Sequence, residues 1–418
     1  MTDRLRLKGD KMIWIIVVLL AMISITAVFS SSSFLAASKG TTRLNIFLEQ
    51  SRSVAIGLGV LFVCYLIPLK FYRAFSFAFF GVSVILLMLL YTPLRAGDAN
   101  GAVRGIRLFG KTVQVFEFAK VGIILYLARA LELWGDSLDS FKQFALKILL
   151  PVCVVCVLII QNSFSSAMFV GIISMLTVFF MGVKFKNILY TIGIVAAFVL
   201  IFFATYHAFF AGRPERLESS AGKIFNRAGT VESRITNFLD EHKEHSEEEM
   251  EAMTDEERME KLEKNRQSDN AKYAIYEGGI FGKGPGNGTQ RYSLSMAFSD
   301  FIYASIIEET GMIGGLFVMA LYLIFLFRCI KISFRCSKVY SSALVAGLAF
   351  MIGCQAFLHI LVNVRLFPIT GHTLPLVSHG GTAYVVLCGV FGMILSVSKQ
   401  LDKQDMIRQN AEKEVNNG

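Results

Sequence analysis

The chain has 418 residues, of which 54% are hydrophobic and 17% charged. A soluble domain would carry roughly a quarter charged residues and no repeated apolar runs of about twenty, so the composition excludes a soluble enzyme and indicates a polytopic membrane protein. The formal charge of +9 does not point to nucleic acid, because Lys and Arg cluster in short loops between apolar runs, as orientation signals do.

Arg4, Arg6, Lys8 and Lys11 precede the first apolar run, Met12 to about Ser30. That run is longer than a signal-peptide core and lacks a small-x-small cleavage site, so it reads as a retained transmembrane helix. Ten spans are predicted, at roughly 12–31, 53–70, 72–94, 115–134, 145–161, 164–183, 187–210, 300–330, 341–363 and 381–398. Each is near the ~20 residues that cross hydrocarbon as a helix. An even number puts both termini on one side, together with Lys70/Arg73, Lys142/Lys147, Lys184/Lys186 and Arg328/Lys331/Arg335/Lys338. The positive-inside rule makes that side cytoplasmic. The expected fold is an all-α integral membrane protein, a single domain over 1–418, with its large outer loop between helices seven and eight. Cys153 and Cys156 lie inside an apolar run with no further Cys or His beside them, which favours packing over metal.

Between spans three and four, RAGDANGAVRGIRLFGKTVQ places Arg95, Arg104, Arg107 and Lys111 on the outer side. Outward cations oppose the insertion bias, which suggests an anionic ligand; a loop too weakly charged to affect topology is the other reading. The outer loop over 211–299 holds an acidic insertion at 240–264 with twelve acids against four bases, read as a solvated helix or partly disordered segment. After it, EGGIFGKGPGNG invites a phosphate-loop reading that fails, since Lys283 is followed by Gly284 rather than Ser or Thr. A flexible backbone beside a membrane-bound substrate, or a plain hinge, fits better.

Ser299 is placed to cap the eighth span, with Asp300 in its first turn. The same carboxylate at the outer surface is suited to accept a hydroxyl proton or to hold a divalent cation. The residues alone favour the helix-start role. Glu308 and Glu309 are carboxylates within a span and must face protein or water. At ~100° per residue only Glu308 is expected to share a cavity with Asp300. The last outer loop, NVRLFPITGHTLPLVSHGGT, has the mixed character of a re-entrant segment, and its His372 and His379 read as packed rather than metal-bound.

Four blocks in order resemble the SEDS family of bacterial cell-wall proteins. GAVRGIRLFGKTVQVFEFAK (101–120) matches at Arg104, Gln114, Glu117 and Lys120; QNSFSSA (161–167) resembles the turn between spans five and six. GGIFGKGPGNGTQ with SDFIYASIIEETGMIGG, and the NVRLFPITGHTLPLVSHGGT loop, supply the other two. Gly105 stands where Trp is usual, Phe116 where Ser is, and His379 where Tyr is common. The GKGPGN and SDFIYA wording is closer to the FtsW branch than to RodA.

The resemblance implies an inverting peptidoglycan glycosyltransferase that polymerises lipid II, the undecaprenyl-pyrophosphate-linked disaccharide peptide. By the same resemblance it would act at the outer face of the bacterial cytoplasmic membrane, at the division septum. Asp300 would be the catalytic base or organise a divalent cation (Mg or Mn), with no organic cofactor. Arg104 and Lys120 would neutralise the pyrophosphate, Glu117 and Glu308 would orient these groups, and Gln290 and Ser378 fall on motif positions assigned to substrate binding. The implied partners are a class B penicillin-binding protein transpeptidase and other divisome proteins. An elongation polymerase of the RodA type, a lipid II flippase and a non-catalytic scaffold are the rival readings.

Overall fold

The computed structural model describes residues 8–96, 105–108, 111–209, 229, 232–236, 238–239, 255–290, 294 and 296–417. It is mostly helical. The helices that build the site are α1 (Lys11–Ser31), α2 (Ser33–Ser38), α3 (Arg43–Leu66), α4 (Leu69–Leu89), α5 (Val115–Trp134), α6 (Phe141–Ile160), α7 (Phe164–Phe180), α8 (Phe185–Phe209), α9 (Asp255–Gly278), α10 (Ile302–Arg335), α11 (Val339–Asn363) and α12 (Gly381–Asn417). Among the described residues, eight of these are long and apolar enough to cross a membrane by length and composition. Helix α7 is apolar but shorter. Helix α5 has the length and carries Glu117, Lys120, Arg129 and Glu132 along it.

An all-α fold is what the composition predicted, and one small sheet is added to it. Strands β1 (Gly105–Leu108) and β2 (Lys111–Gln114) pair antiparallel, with Gly105 opposite Gln114 and Leu108 opposite Lys111. Helix α3 starts at Arg43 rather than near 53, capped by the Thr42 hydroxyl on the Asn45 amide. Its first turns are polar, which hid them from a hydropathy reading. One of those polar residues, Gln50, is fully buried.

Lipid-compatible side chains face outward along these helices, as on α8, where Phe198, Leu200 and Ile201 are exposed. Inside the bundle, α5 packs on α4 and α11, α10 packs on α11, and α12 lies along α3. At the Lys- and Arg-rich end, Asp10 joins three of these elements. Its Oδ1 accepts the Met12 and Ile13 amides at 2.9 and 3.2 Å and so caps α1. Its Oδ2 accepts Arg328 Nε of α10 at 2.9 Å, and its own amide donates to Ser398 Oγ of α12 at 2.9 Å. A carboxylate at a helix start is favoured by the dipole, and here it also neutralises a cation on a neighbouring helix. The opposite end of the bundle carries the β-hairpin, the glycine-rich loop and the 364–380 connection, where the sequence-predicted site residues gather.

Candidate active site

Residues 296–301 form a tight turn, with the Ser299 and Phe301 amides both donating to the Met296 carbonyl at 3.1 Å. Phe301 is buried with Ala271, Ala274, Leu294, Ala297 and Ala304, and that anchor sets where α10 can begin. The N-cap is Phe301, with no side-chain cap of its own and no acidic residue in the first turn. The expectation that Ser299 caps the helix with Asp300 in its first turn is therefore corrected: both precede the helix. Asn363 does the capping instead. Its Oδ1 accepts the Ala304 amide at 3.0 Å, while its Nδ2 donates to the carbonyls of Asp300 at 3.0 Å and His359 at 2.9 Å.

The 364–380 connection pins the other side of the same turn. Ser378 Oγ donates to the Ser299 carbonyl at 2.9 Å and accepts the Leu374 amide at 2.8 Å. The His379 amide donates to the Phe298 carbonyl at 3.0 Å. Three consecutive carbonyls, of Phe298, Ser299 and Asp300, are thus fixed by groups from α11 and the segment after it. The half-buried Asp300 stands on a backbone that cannot swing without breaking several bonds. Asp300 and Ser378 are brought together; Asn363 and His379 were missed as supports, although both lie in the quoted motif.

The second cluster sits at the start of α5. Lys120 Nζ donates to Glu117 Oε1 and to Gln355 Oε1, each at 2.6 Å, with the Phe169 ring centroid 5.4 Å away. The i,i+3 spacing puts Glu117 and Lys120 on one helix face, and their side chains are only 9% and 3% exposed. Gln355 Nε2 donates in turn to the Thr373 carbonyl at 3.0 Å, which ties the pair to the 364–380 segment that also holds Asp300. A cavity opens beside the pair, lined by Gln114, Glu117, Lys120, Ser166, His372 and Thr373. Glu117 Oε2 is buried and has no hydrogen-bond partner among the described residues. A buried carboxylate oxygen left in this way is an acceptor available to a bound hydroxyl or amide.

The hairpin reaches this cavity from outside. The Gln114 amide donates to Thr382 Oγ1 at 3.0 Å, and that hydroxyl donates to the Thr112 carbonyl at 3.1 Å. Gly105 is required by the close strand pairing: a Cβ there would stand 2.6 Å from the Val113 carbonyl oxygen. A Trp at this position demands a shifted hairpin. Arg104 itself lies outside the described residues, as do residues 240–254 of the acidic insertion.

Glu308 and Gln290 belong to a third grouping. Helix α10 breaks at Gly311, where φ is 71° and ψ −177°, and the glycine-rich loop runs alongside the break. Lys283 and Gly284 donate their amides to the Glu308 and Glu309 carbonyls at 2.9 Å, and the Met312 amide donates to the Gly279 carbonyl at 2.9 Å. Gly282 and Gly311 both have positive φ, and a Cβ on either would stand 2.2 or 2.1 Å from a carbonyl oxygen of the facing segment. Glu308, 1% exposed, turns its carboxylate onto the loop. Oε1 accepts the Thr289 amide at 2.6 Å, the Gln290 amide at 3.0 Å and the Thr289 hydroxyl at 3.1 Å, with Lys283 Nζ at 3.4 Å. Glu309 also faces the loop, since a Cβ on Gly288 would stand 2.9 Å from Glu308 Oε2 and 3.4 Å from Glu309 Oε1, and Ser30 donates to it. The expectation that Glu308 shares a cavity with Asp300 assumed one continuous helix through both; Asp300 precedes α10, and the Glu308 carboxylate is taken up by the glycine-rich loop instead. Lys283 also pairs with Glu277, and its hydrogen bond, helped by Thr289, holds the Glu277 carboxyl below its usual range. The reciprocal bond raises the Lys283 ammonium.

No group of three His, Cys, Asp or Glu side chains able to hold a metal ion occurs among the described residues. Asp300 thus belongs to no such group among the described residues.

A family model described as cell cycle protein, FtsW/RodA/SpoVE, matches residues 10–403. A relative from Geobacter sp. (strain M18), named "Probable peptidoglycan glycosyltransferase FtsW", is 28% identical over 401 residues, covering 95% of this chain and 98% of the relative. A Bacillus subtilis (strain 168) protein of the same name is 28% identical over 392 residues, covering 91% and 88%. Among solved structures, a chain of a peptidoglycan synthase complex superposes with a TM-score of 0.70 at 21% identity, covering 94% of this chain and 98% of its own. The rod shape determining protein RodA of Thermus thermophilus gives 0.60 at 21% identity, covering 94% and 97%. These likenesses span nearly the whole chain, and the matched region contains all three clusters described above. The chain belongs to the FtsW/RodA/SpoVE family of cell cycle proteins.

Proposed function

We propose that this protein is a peptidoglycan glycosyltransferase that polymerises lipid II at the outer face of the bacterial cytoplasmic membrane, serving the division septum. Ten crossing helices with both termini cytoplasmic complete the topology, in line with the basic residues that gather around the Asp10–Arg328 pair. The 4-hydroxyl of the acceptor sugar attacks the anomeric carbon of the donor chain's terminal sugar. The new C–O bond forms as the bond to undecaprenyl pyrophosphate breaks, with inversion, and Asp300 takes the hydroxyl proton. Lys120, with Arg104, meets the charge that develops on the leaving pyrophosphate. Glu117 keeps Lys120 aimed and charged, and its open oxygen orients a substrate hydroxyl or amide. Glu308 shapes the loop at the edge of the site. A class B penicillin-binding protein is the partner, as the relative in a peptidoglycan synthase complex suggests.

The observation that carries this reading is the common support of two charged groups by one segment. Residues 364–380 hold the backbone at Asp300 through Ser378 and His379, and hold Lys120 through Thr373 and Gln355. A base and a leaving-group cation mounted on one frame is what a displacement reaction requires. The test is glycan-chain formation from purified lipid II with the cognate partner. Asp300→Ala is expected to abolish it while folding and partner binding persist, and full polymerisation by that variant would sink the assignment. Depletion in cells is expected to give filaments; rounded cells would point to an elongation role.

A further inference from the structure

The end of α9 and the glycine-rich loop carry an apolar surface that the described residues leave uncovered. Tyr276 and Phe281 are each 81% exposed and Ile280 is 63% exposed, while Ala271 and Ala274 on the other side of α9 are buried against α10. Tyr273, also exposed, lies three residues before Tyr276 and shares its helix face. The rest of α9 is strongly charged, so these aromatics mark a change of surroundings at its C-terminal end.

The depth of this surface is set by its hydrogen bonds. Besides the Met312 bond to Gly279, the Ile313 amide donates to the Ile280 carbonyl at 3.4 Å. Residues 279–284 therefore run beside 308–313, about 9–17 Å along α10 from its first residue at helical rise. The neighbouring outward residues of α10 are Met312, Ile313, Leu316 and Phe317, all exposed and all apolar. Irregular backbone at such depth needs protein partners for its polar groups, and the broken helix pairs the Gly279 and Ile280 carbonyls and the Lys283 and Gly284 amides. The Lys283–Glu277 pair stands at the polar edge of the patch.

We propose that this surface is seated in the bilayer: the glycine-rich loop is a re-entrant segment of the outer leaflet, with Tyr273 and Tyr276 at the headgroup level and Ile280 and Phe281 among the acyl chains. The lipid-facing side of α10 continues without interruption onto Ile280 and Phe281, which makes bilayer lipid the occupant. Tyrosine at the boundary and aliphatic or Phe side chains below it are the usual arrangement at a membrane interface. The inference rests on the topology proposed above for α10, and is independent of the chemistry assigned to Asp300.

The test uses the full chain in vesicles of bilayer phospholipid, with Trp14 and Trp134 replaced by Phe and a single reporter introduced as Phe281→Trp. Emission is expected to be blue-shifted, quenched about twofold or more by lipids brominated near the headgroup end of the acyl chain, and insensitive to aqueous iodide. Quenching by iodide and not by bromolipid would place the loop in water and overturn the proposal. Leu316→Trp serves as the control on α10: bromolipid quenching there without quenching at residue 281 refutes the loop placement alone, and no quenching at either refutes the topology as well. Co-reconstitution with the transpeptidase should leave the quenching at residue 281 in place; its loss would reassign the surface to that partner. A variant-free measurement runs in parallel, in which a photoactivatable phospholipid is expected to label the peptide containing Tyr276 and Phe281 in the unaltered protein. Absence of label there, with α10 labelled, contradicts the proposal.

Discussion

The Glu308 carboxylate lies 2.6 Å from the Thr289 backbone amide, nineteen residues earlier in the chain, and the Gln290 amide reaches the same oxygen at 3.0 Å. A buried anion on a broken membrane helix thus fixes the glycine-rich loop through its backbone, whatever side chains the loop carries. Truncation by Glu308→Ala removes the acceptor of those part-buried amides, and each hydrogen bond to a charged group contributes roughly 1.5–3 kcal/mol. The loop is expected to open, with faster limited proteolysis between Gly278 and Gln290 and reduced lipid II polymerisation. Glu308→Gln keeps an acceptor and should fall between. An unchanged cleavage rate in Glu308→Ala would remove the clasp from the account.

Lys120 presents a different balance. It is buried between Glu117 and Gln355, so Lys120→Met leaves a buried carboxylate without its cation, a loss of about 3–5 kcal/mol. The variant is expected to be inactive and visibly destabilised by thermal unfolding in detergent. Adding Glu117→Gln removes the stranded charge and should restore much of the stability while polymerisation stays absent. If the double variant regains activity with stability, Lys120 serves folding and not the reaction.

Much of this was legible before any coordinates. The apolar runs announced the helices, and the four ordered blocks led to Asp300, Lys120, Glu117 and Ser378. What the sequence hid has common physical causes. The early start of helix α3 is invisible to hydropathy, which counts a polar residue such as Gln50 as solvent-facing, although Gln50 is buried and bonds Ser24 Oγ at 2.8 Å across to α1. Ser299 looked like a cap because Ser and Asp often are caps, yet Asn363, 59 residues beyond the Ala304 amide it accepts, does that work through a tertiary contact. Counting ~100° per residue from Asp300 to Glu308 fails because Asp300 stands before the helix, in a turn that Phe301 and Asn363 fix. Local patterns survive where neighbours in sequence decide the outcome; they fail where a distant side chain does.

The two glycines at the crossing of loop and helix are predicted to tolerate no side chain. Gly282→Ala and Gly311→Ala each combine a positive φ with a Cβ about 2 Å from backbone oxygen, which neither rotamer change nor side-chain movement relieves. Gly286 also has positive φ, 79°, but nothing lies within 4 Å of its Cβ position. Gly286→Ala should therefore cost on the order of 1 kcal/mol from backbone strain alone. Yield of monodisperse protein and its unfolding temperature are expected to fall sharply for the first two and slightly for the third. Equal losses at all three would show that conformation, not the close crossing, sets the requirement.

His379 makes stability depend on pH near neutrality. Its Nδ1 is 2.9 Å from Gln50 Oε1; Gln50 Nε2 donates to Ser24, and Ser24 donates to the Val377 carbonyl at 2.9 Å, so the network assigns the Nδ1–H tautomer of a neutral ring. Burial lowers the imidazole below its ordinary value, with Glu49 opposing and Lys39 adding to the shift. Because the folded value lies below the unfolded one of about 6.5, the contribution to stability is complete above that pH and is lost as pH falls toward the folded value. One proton limits the slope to about 1.4 kcal/mol per pH unit. The unfolding midpoint of the detergent-solubilised protein is expected to drop on acidification from about pH 7 to 5.5, and His379→Tyr, which does not titrate in that window, should flatten this part of the curve. A curve of the same shape in both proteins would assign the acid sensitivity to another group.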